Sequence, residues 1–415
     1  MNREFIKKYG TLLLLATGAG IIFQLPYIRE TFYVPIQNAM NLTNAQMGLL
    51  SSGYASVALI SYFIGGIVAD KFSARKLLTF SFIATGALGL WFSTFPSFTV
   101  SRIIFVLMGI SSIITYWSAC IKATRMLGTP DEQGRLFGLQ EGLRGVTNAL
   151  LVFGMTFAFN RYVDEVAGAS AAIKVCSITV IIIGILNYIF IKDTDTTEQS
   201  ESLLEVTKGM FKALLIPRVW LLIGIIFTAY SVYGLLGYVT TYAQKFYGMT
   251  AATAATLGGV RYLLQGLGGV VGGFLADKLR SRSKVIMYGC IGLVISFALY
   301  LVIPVSLSLY VAVVTNFFFG LFFIYVVRSQ YFAVHDDANI PISMSGRVSG
   351  ISSSLGYTPD IFMYTLVGSW MDTYGHAGFN MTWIYAIVAA LLCLVLTFIL
   401  TRIVKKDAQE AAKAS

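Results

Sequence analysis

The sequence predicts an all-α polytopic membrane protein, in which twelve transmembrane helices form two pseudo-symmetric six-helix bundles. Hydrophobic residues make up 56% of the chain and charged residues 12%, against roughly 45–50% and about 25% in soluble domains. A short string, Gly65-Gly66-Ile67-Val68-Ala69-Asp70-Lys71, returns 207 residues later as Gly272-Gly273-Phe274-Leu275-Ala276-Asp277-Lys278, in a chain of 415. Together these observations indicate a membrane protein built by internal duplication.

Each predicted span is an apolar run long enough to cross a bilayer, which takes about 20 mostly apolar residues. The predicted spans cover residues 9–37, 45–69, 77–95, 100–126, 134–160, 173–191, 219–245, 252–276, 285–305, 307–333, 346–371 and 379–401. Six fall in each half. We therefore predict a first bundle at 1–192, a cytoplasmic linker at 193–216, and a second bundle at 217–415 that ends in a short cytoplasmic tail.

Other landmarks keep the register of the repeat and set the orientation. Gly134-Arg135 returns 212 residues later as Gly346-Arg347, and Lys122 has a basic counterpart in Arg328. Loops that are rich in Lys and Arg alternate along the chain with loops that contain few, and this pattern places both termini in the cytoplasm. The net charge of +10 is read as this topological signal and not as nucleic-acid binding. We expect a multi-pass protein of the bacterial inner membrane.

Neither the cysteines nor the N-terminus suggests another class of protein. All four cysteines lie inside apolar runs: Cys120, Cys176, Cys290 and Cys393. Neither a disulfide framework nor a metal site is predicted from such spacing. The N-terminal run contains Arg29 and Glu30 and lacks a small-residue cleavage pattern, so we interpret it as the first span and not as a signal peptide.

The repeated string resembles a known family signature. Gly66-x-x-Ala69-Asp70-Lys71-x-x-x-Arg75-Lys76 resembles the loop between the second and third helices of the major facilitator superfamily. The stretch from Gly273 to Arg282 resembles its repeat between the eighth and ninth helices. The resemblance covers essentially the whole chain and implies alternating access, with this loop as a cytoplasmic latch. The residues expected to act in gating are Asp70, Arg75, Lys122, Asp277 and Arg328.

Two finer patterns point to a branch of that family. Tyr27-Ile28-Arg29, followed by Phe32 and Pro35, looks like the first-helix pattern of the organophosphate and organic-anion carriers. In those carriers the arginine binds the anionic group, so the resemblance implies that Arg29 is an anion ligand. The later string Arg328-Ser-Gln-Tyr331 is similar to a bacterial subgroup that includes suspected sulfosugar carriers.

Charges inside the apolar runs narrow the function. An ionisable group at mid-span costs about 2.5–3.5 kcal/mol on insertion scales, so each one needs compensation. Spans three, six, nine and twelve carry no such charge. The charges placed in the cores of other spans are Arg29, Glu141, Arg144, Arg261, Arg328 and Asp360, with Glu30 not assigned a side. Arginines outnumber carboxylates, and a guanidinium suits carboxylate, phosphate or sulfonate oxygens. The predicted substrate is a small anion.

The residues predicted to take part in transport fall into two groups. Those expected to bind substrate are Arg29, Arg144, Arg261, Tyr54, Tyr233 and Tyr357. Glu141 or Asp360 is expected to carry a proton. Other interpretations stay open. Glu141 and Arg144 are spaced for a simple i,i+3 pair, and Asp360 follows a proline and can stabilise a helix break. Lys122 and Arg328 lie where snorkelling competes with gating or binding, and the tyrosines can be packing residues.

The leading hypothesis is a proton-coupled importer of a small organic anion, such as a sugar acid, carboxylate or sulfonate. Two alternatives are an anion exchanger without proton coupling and a transporter-like metabolite sensor. An enzyme is not expected, because the sequence offers no nucleophile with a base. The expected partners are a small anion, protons and the lipid bilayer, without nucleic acid, cofactor or metal. We expect a monomer.

Overall fold

The chain is almost wholly helical in a computed structural model. The structure describes residues 3–129, 132–192, 203–331, 334, 338, 340 and 342–414; for some helical residues, including Asp70, it describes only the backbone. The helices are α1 Arg3–Ile21, α2 Arg29–Met40, α3 Asn44–Lys71, α4 Ala74–Phe92, α5 Phe98–Gly109, α6 Trp117–Arg125, α7 Gln133–Phe159, α8 Glu165–Phe190, α9 Leu203–Ala213, α10 Pro217–Leu236, α11 Tyr238–Phe246, α12 Ala251–Leu279, α13 Arg282–Val302, α14 Tyr310–Gln330, α15 Ile342–Gly356, α16 Pro359–Tyr374 and α17 His376–Ala414.

The predicted fold class is confirmed. Each predicted span coincides with one helix or with helices joined by a short turn. Within the described residues, seven helical segments are long and apolar enough to cross a membrane by length and composition alone. The other predicted spans also coincide with helices, and two of these are interrupted, by the turns between α1 and α2 and between α15 and α16.

The chain divides into two compact units. Unit 1 comprises Met1–Leu203 and Thr250–Gly266, and unit 2 comprises Leu204–Met249 and Leu267–Ser415. The first half of α12 therefore belongs to unit 1 and the second half to unit 2. In unit 1, α1 packs on α7, α3 on α5, and α4 on α8, while in unit 2 α17 packs on α10 and α13. The sequence boundaries at 192 and 217 stay a prediction.

Two helices are broken by prolines, one in each unit. Residues 22–28 form turns between α1 and α2, where Pro26 lacks an N–H and disfavours helix at the residue before it. Tyr357 and Thr358 form the turn before α16, which begins at Pro359. Each break is followed by a carboxylate in the first turn of the next helix, Glu30 in α2 and Asp360 in α16.

The internal repeat extends to the helix caps of the loop. Ser73 accepts a hydrogen bond from the N–H of Lys76 at the start of α4, and Ser281 accepts one from Lys284 at the start of α13. The spacing from the aspartate to the capping serine is one residue longer in the second copy, Asp277 to Ser281 against Asp70 to Ser73. Arg280, just before Ser281, has a left-handed backbone conformation with φ of 47°, which accommodates the additional residue. The duplicated sequence thus produces the same serine-capped turn twice.

Candidate functional site

Unit 1 has a buried polar network at the break in its first span. The side-chain amide of Gln24 donates to Asn148 Oδ1 and to Tyr262 Oη, each at 2.8 Å. Gln24, Arg29 and Asn148 are all buried. Buried amides keep their positions only when hydrogen-bonded, so this network fixes the turn against α7 and the first half of α12.

A buried ion pair lies in the same unit. Arg261 Nη2 donates to Glu30 Oε2 in a short contact, and each side chain is only 7% exposed. The Arg261 guanidinium also lies 5.1 Å from the ring centroid of Tyr262. The sequence placed Arg261 in the site and left Glu30 unassigned. The structure gives this arginine a carboxylate partner from the protein itself.

The other predicted charges of unit 1 form an exposed pair. Arg144 Nη1 lies 3.2 Å from Glu141 Oε1, and the two side chains are 23% and 55% exposed. The Arg144 guanidinium also lies 5.9 Å from the ring of Trp117. This is the i,i+3 arrangement that the spacing allowed, and a pair this exposed contributes little to stability.

Tyr54, another predicted ligand, is buried in unit 1. Its hydroxyl lies 3.3 Å from Ser112 Oγ, and its ring packs edge-on against Tyr27 at 5.4 Å. Ser112 belongs to a single π-helical stretch, Ile110–Ile114, between α5 and α6. Such insertions are frequent at functional sites. The structure places Tyr54 with Tyr27, the first residue of the family pattern.

Unit 2 has a tyrosine cluster around Arg328. The guanidinium lies 3.9 Å from the ring centroid of Tyr233, in cation–π geometry. Three further tyrosines lie within electrostatic range: Tyr325, Tyr331 and Tyr357. Within the part of the chain that the structure describes, Arg328 forms no salt bridge. Among the described residues, the groups shown near this charge are tyrosines and not carboxylates.

Asp360 joins the same tyrosine cluster. Its Oδ2 accepts a hydrogen bond from Tyr230 Oη at 2.9 Å, and the residue is 4% exposed. The Tyr230 ring lies 4.4 Å from that of Tyr357, whose hydroxyl lies 3.1 Å from that of Tyr331. Since Tyr230 also packs near Tyr233 at 6.0 Å, contacts connect Asp360 to Arg328.

The residues expected in gating take separate positions. Lys122 Nζ donates to the carbonyl of Ala69 at 3.2 Å, next to Asp70 at the end of α3. The side chain of Asp70 itself lies outside the described part. Arg75 lies over the Tyr188 ring at 4.1 Å, and Asp277 is exposed near the end of α12. Their gating roles stay a prediction.

Seven residues of these networks were not predicted from the sequence as site residues: Gln24, Glu30, Asn148, Tyr230, Tyr262, Tyr325 and Tyr331. For Tyr325 and Tyr331 a signal existed. Tyr325 and Tyr331 lie three residues before and after Arg328, so all three share one helix face. Glu30 had no such signal, because its partner is 231 residues away.

The fold and these buried networks are those of a polytopic membrane protein with charges held inside its spans. Comparison with known proteins defines the class further. Residues 10–362 match the family model of the Major Facilitator Superfamily. The chain belongs to this superfamily. It is therefore a transporter and not an enzyme.

Several known sequences and structures are similar to this chain over most of its length. Inner membrane protein YqcE of Escherichia coli (strain K12) is 31% identical, with 100% of both chains covered. Inner membrane protein YihN of the same organism is 29% identical over 88% of each chain, and the hexuronate transporter of Bacillus subtilis (strain 168) is 24% identical over 89% of this chain and 90% of its own.

Solved structures agree on the fold. A bacterial homologue of the human lysosomal transporter Spinster superposes with a TM-score of 0.77 at 15% identity, covering 97% of this chain and 98% of its own. A D-xylose–proton symporter gives a TM-score of 0.69 at 15% identity, over 94% and 97% of the two chains. The predicted family is thus confirmed by sequence and by fold.

Proposed function

We propose that this transporter imports a small organic anion together with protons, by alternating access, across a bacterial inner membrane. The substrate class is a sugar acid, carboxylate or sulfonate. Two relatives carry the name inner membrane protein and a third is named a hexuronate transporter, which supports the location and the substrate class.

The observation that carries the proposal is the cluster of Arg328 and Asp360 in unit 2. The ring of Tyr233 holds the guanidinium of Arg328 by its face, and the forked donors of a guanidinium are suited to a carboxylate or sulfonate. The surrounding phenol hydroxyls can donate to or accept from a hydroxylated ligand. An anion contact and an acid that can carry a proton therefore belong to one network.

Asp360 is the better proton carrier of the two predicted acids. Its partner Tyr230 is a phenol, which can donate to a carboxylate and can accept from a carboxylic acid. Both protonation states therefore keep a hydrogen bond. Glu141 instead contacts an arginine and is more than half exposed, so its protonation has little to do with a buried ligand.

Purified protein is first screened by thermal shift against sugar acids, sulfonates, phosphate esters and dicarboxylates. We expect stabilisation by sugar acids or sulfonates. Uptake of the stabilising anion is then measured in proteoliposomes with and without an imposed inward proton gradient. Accumulation that ignores the gradient would exclude symport, and uptake that depends on internal substrate would indicate exchange.

Two variants test which acidic residue couples anion transport to the proton gradient. Asp360→Asn is expected to abolish gradient-driven accumulation while exchange of internal for external anion continues. Glu141→Gln is the matched control, a neutralised acid at an exposed position, and it should retain both activities. Loss of coupling in Glu141→Gln alone would reassign the proton to unit 1.

A further inference from the structure

The Glu30–Arg261 pair is a buried ion pair within unit 1. It joins the first turn of α2 to the first half of α12, and both side chains are 7% exposed. Ion pairs with these exposures are rarely needed to hold two helices together, because apolar residues of similar volume often serve as well. The burial of this pair therefore favours a functional role over a purely structural one.

Groups suited to a hydroxylated ligand are connected to this pair through Tyr262. The Tyr262 ring lies 5.1 Å from the Arg261 guanidinium, and its hydroxyl accepts from the Gln24 amide, which also donates to Asn148. Amide and phenol groups exchange hydrogen bonds with hydroxyls readily. A guanidinium linked in this way to two amides and a phenol has the composition expected of an anion-binding position in a transporter.

In the structure a protein carboxylate already occupies that position. Glu30 presents to Arg261 the same chemical group that an organic acid would present. Removing one partner of a buried pair leaves an uncompensated charge and is strongly unfavourable. Glu30 therefore leaves Arg261 readily only when another anion takes its place.

The pair also ties a half-helix to unit 1. The first half of α12 belongs to unit 1 and its second half to unit 2, with the division after Gly266. The half-helix approaches its neighbours closely: a Cβ at Gly258 would lie 3.6 Å from Thr31, and one at Gly145 would lie 3.1 Å from the carbonyl oxygen of Tyr262. Release of Arg261 removes the charged part of this attachment.

We infer that Glu30 is a built-in substitute for the acid group of the substrate: it occupies Arg261 in the unloaded protein, and the bound anion displaces it and loosens the first half of α12. This inference rests on the proposed function, because it requires an organic anion as ligand.

The test is a binding titration of the purified full-length protein with three probes, D-glucuronate, D-galactonate and 2-hydroxyethanesulfonate. Glu30→Gln removes the competing charge, and we expect the probe that binds the wild type to bind this variant about tenfold more tightly. Glu30→Asp, whose shorter side chain holds Arg261 less well, is expected to fall between the two. Glu132→Gln, which neutralises a partly exposed acid paired with Lys8, is the matched control and is expected to keep wild-type affinity.

Hydrogen exchange of residues 251–266 gives a second readout. Adding the binding probe is expected to raise exchange of this segment in the wild type, and Glu30→Gln is expected to show raised exchange without any probe. If Glu30→Gln does not fold, Glu30→Asp and the wild-type exchange data still decide the matter.

The outcomes separate the two proposals. If the wild type binds a probe but neither Glu30 variant binds it more tightly, or if exchange of 251–266 falls on binding, the inference is overturned while the proposed function stands. If the wild type binds none of the probes and none of the screened organic anions, both are overturned.

Discussion

Glu30 and Asp360 have the same local position in different units and have different partners. Each is a carboxylate in the first turn of a helix that follows a proline break, where the helix dipole favours a negative charge. Glu30 is bound by the guanidinium of Arg261, whereas Asp360 is bound by the hydroxyl of Tyr230. An ion pair requires the ionised acid, but a phenol can bind either form. The partner, and not the position, decides which acid can carry a proton.

The arginines of the two units differ in the same way. Arg261 is neutralised by a carboxylate, while Arg328 lies on the face of Tyr233. A ring face attracts a cation through its quadrupole without cancelling its charge. Among the described residues, Arg328 of unit 2 therefore has a tyrosine as its shown contact, whereas Arg261 of unit 1 is paired with an internal acid.

The largest expected effect comes from removing each arginine in turn. Arg261→Gln leaves Glu30 buried and unpaired, which is expected to cost about 3–5 kcal/mol of the free energy of unfolding. Arg328→Gln removes a cation–π contact and is expected to cost about 0.5–2 kcal/mol. Thermal unfolding of the purified variants in one detergent measures both. Equal losses would contradict the distinction between the two arginines.

Removing the hydroxyl of Tyr230 is expected to cause the next largest loss in the free energy of unfolding. Tyr230→Phe removes the donor to Asp360, and hydrogen bonds to charged groups contribute about 1.5–3 kcal/mol. The control is Tyr331→Phe, which removes a hydroxyl bonded to the neutral phenol of Tyr357 and should cost about 0.5–1.5 kcal/mol. The same unfolding assay compares them, and a larger loss in Tyr331→Phe would show that Asp360 does not depend on Tyr230.

A glycine of α1 tests how tightly the unit 1 network is packed. A Cβ at Gly20 would lie 2.9 Å from the backbone oxygen of Arg144, so Gly20→Ala must push α1 away from α7. Overpacking of this kind costs about 1–3 kcal/mol. It should also weaken the bond from Gln24 to Asn148.

Gly10, on the same helix, provides the control. Nothing lies within 4 Å of a Cβ placed there, and alanine is favoured over glycine in a helix by about 0.8–1.0 kcal/mol. Gly10→Ala should therefore not lower the unfolding temperature. A comparable loss in both variants would mean that the close approach at Gly20 is unimportant.

Properties encoded over short stretches of chain could be predicted, and pairings across the fold could not. Hydropathy and the 207-residue repeat predicted the spans because both can be recognised in contiguous residues of the sequence. Arg261 emerged as a site residue because a charge in an apolar run is visible locally. Its partner Glu30 did not, because the two are 231 residues apart and only tertiary packing brings them together.

The tyrosine cluster of unit 2 is an intermediate case. Tyr233, Tyr357 and Asp360 were predicted from residue type and position, but they lie on three elements that share no sequence pattern. The contact between Tyr230 and Asp360 joins residues 130 apart. The i,i+3 spacing of Tyr230 with Tyr233, and of Tyr325 with Arg328, was the available local signal for a shared face.

Breaking an exposed ion pair of unit 1 is expected to have the smallest effect on stability. Its comparison with the Glu30–Arg261 pair shows what burial contributes. Lys8 Nζ donates to Glu132 Oε1 at 2.7 Å. This hydrogen bond, with a second from the N–H of Thr129, holds the pKa of Glu132 below its usual range. A lowered folded-state pKa stabilises the protein above the unfolded value of about 4.3, and this stabilisation is lost as the pH falls through the folded pKa.

Lys8→Gln should therefore lower the unfolding temperature slightly at neutral pH, by much less than Arg261→Gln. The difference from the wild type should shrink as the pH falls through the lowered folded-state pKa of Glu132, because below it both proteins carry a neutral Glu132. Thermal unfolding across this pH range measures it. A difference that grows toward low pH would contradict the sign of the shift, and one as large as that of Arg261→Gln would mean that burial is not what distinguishes the two pairs.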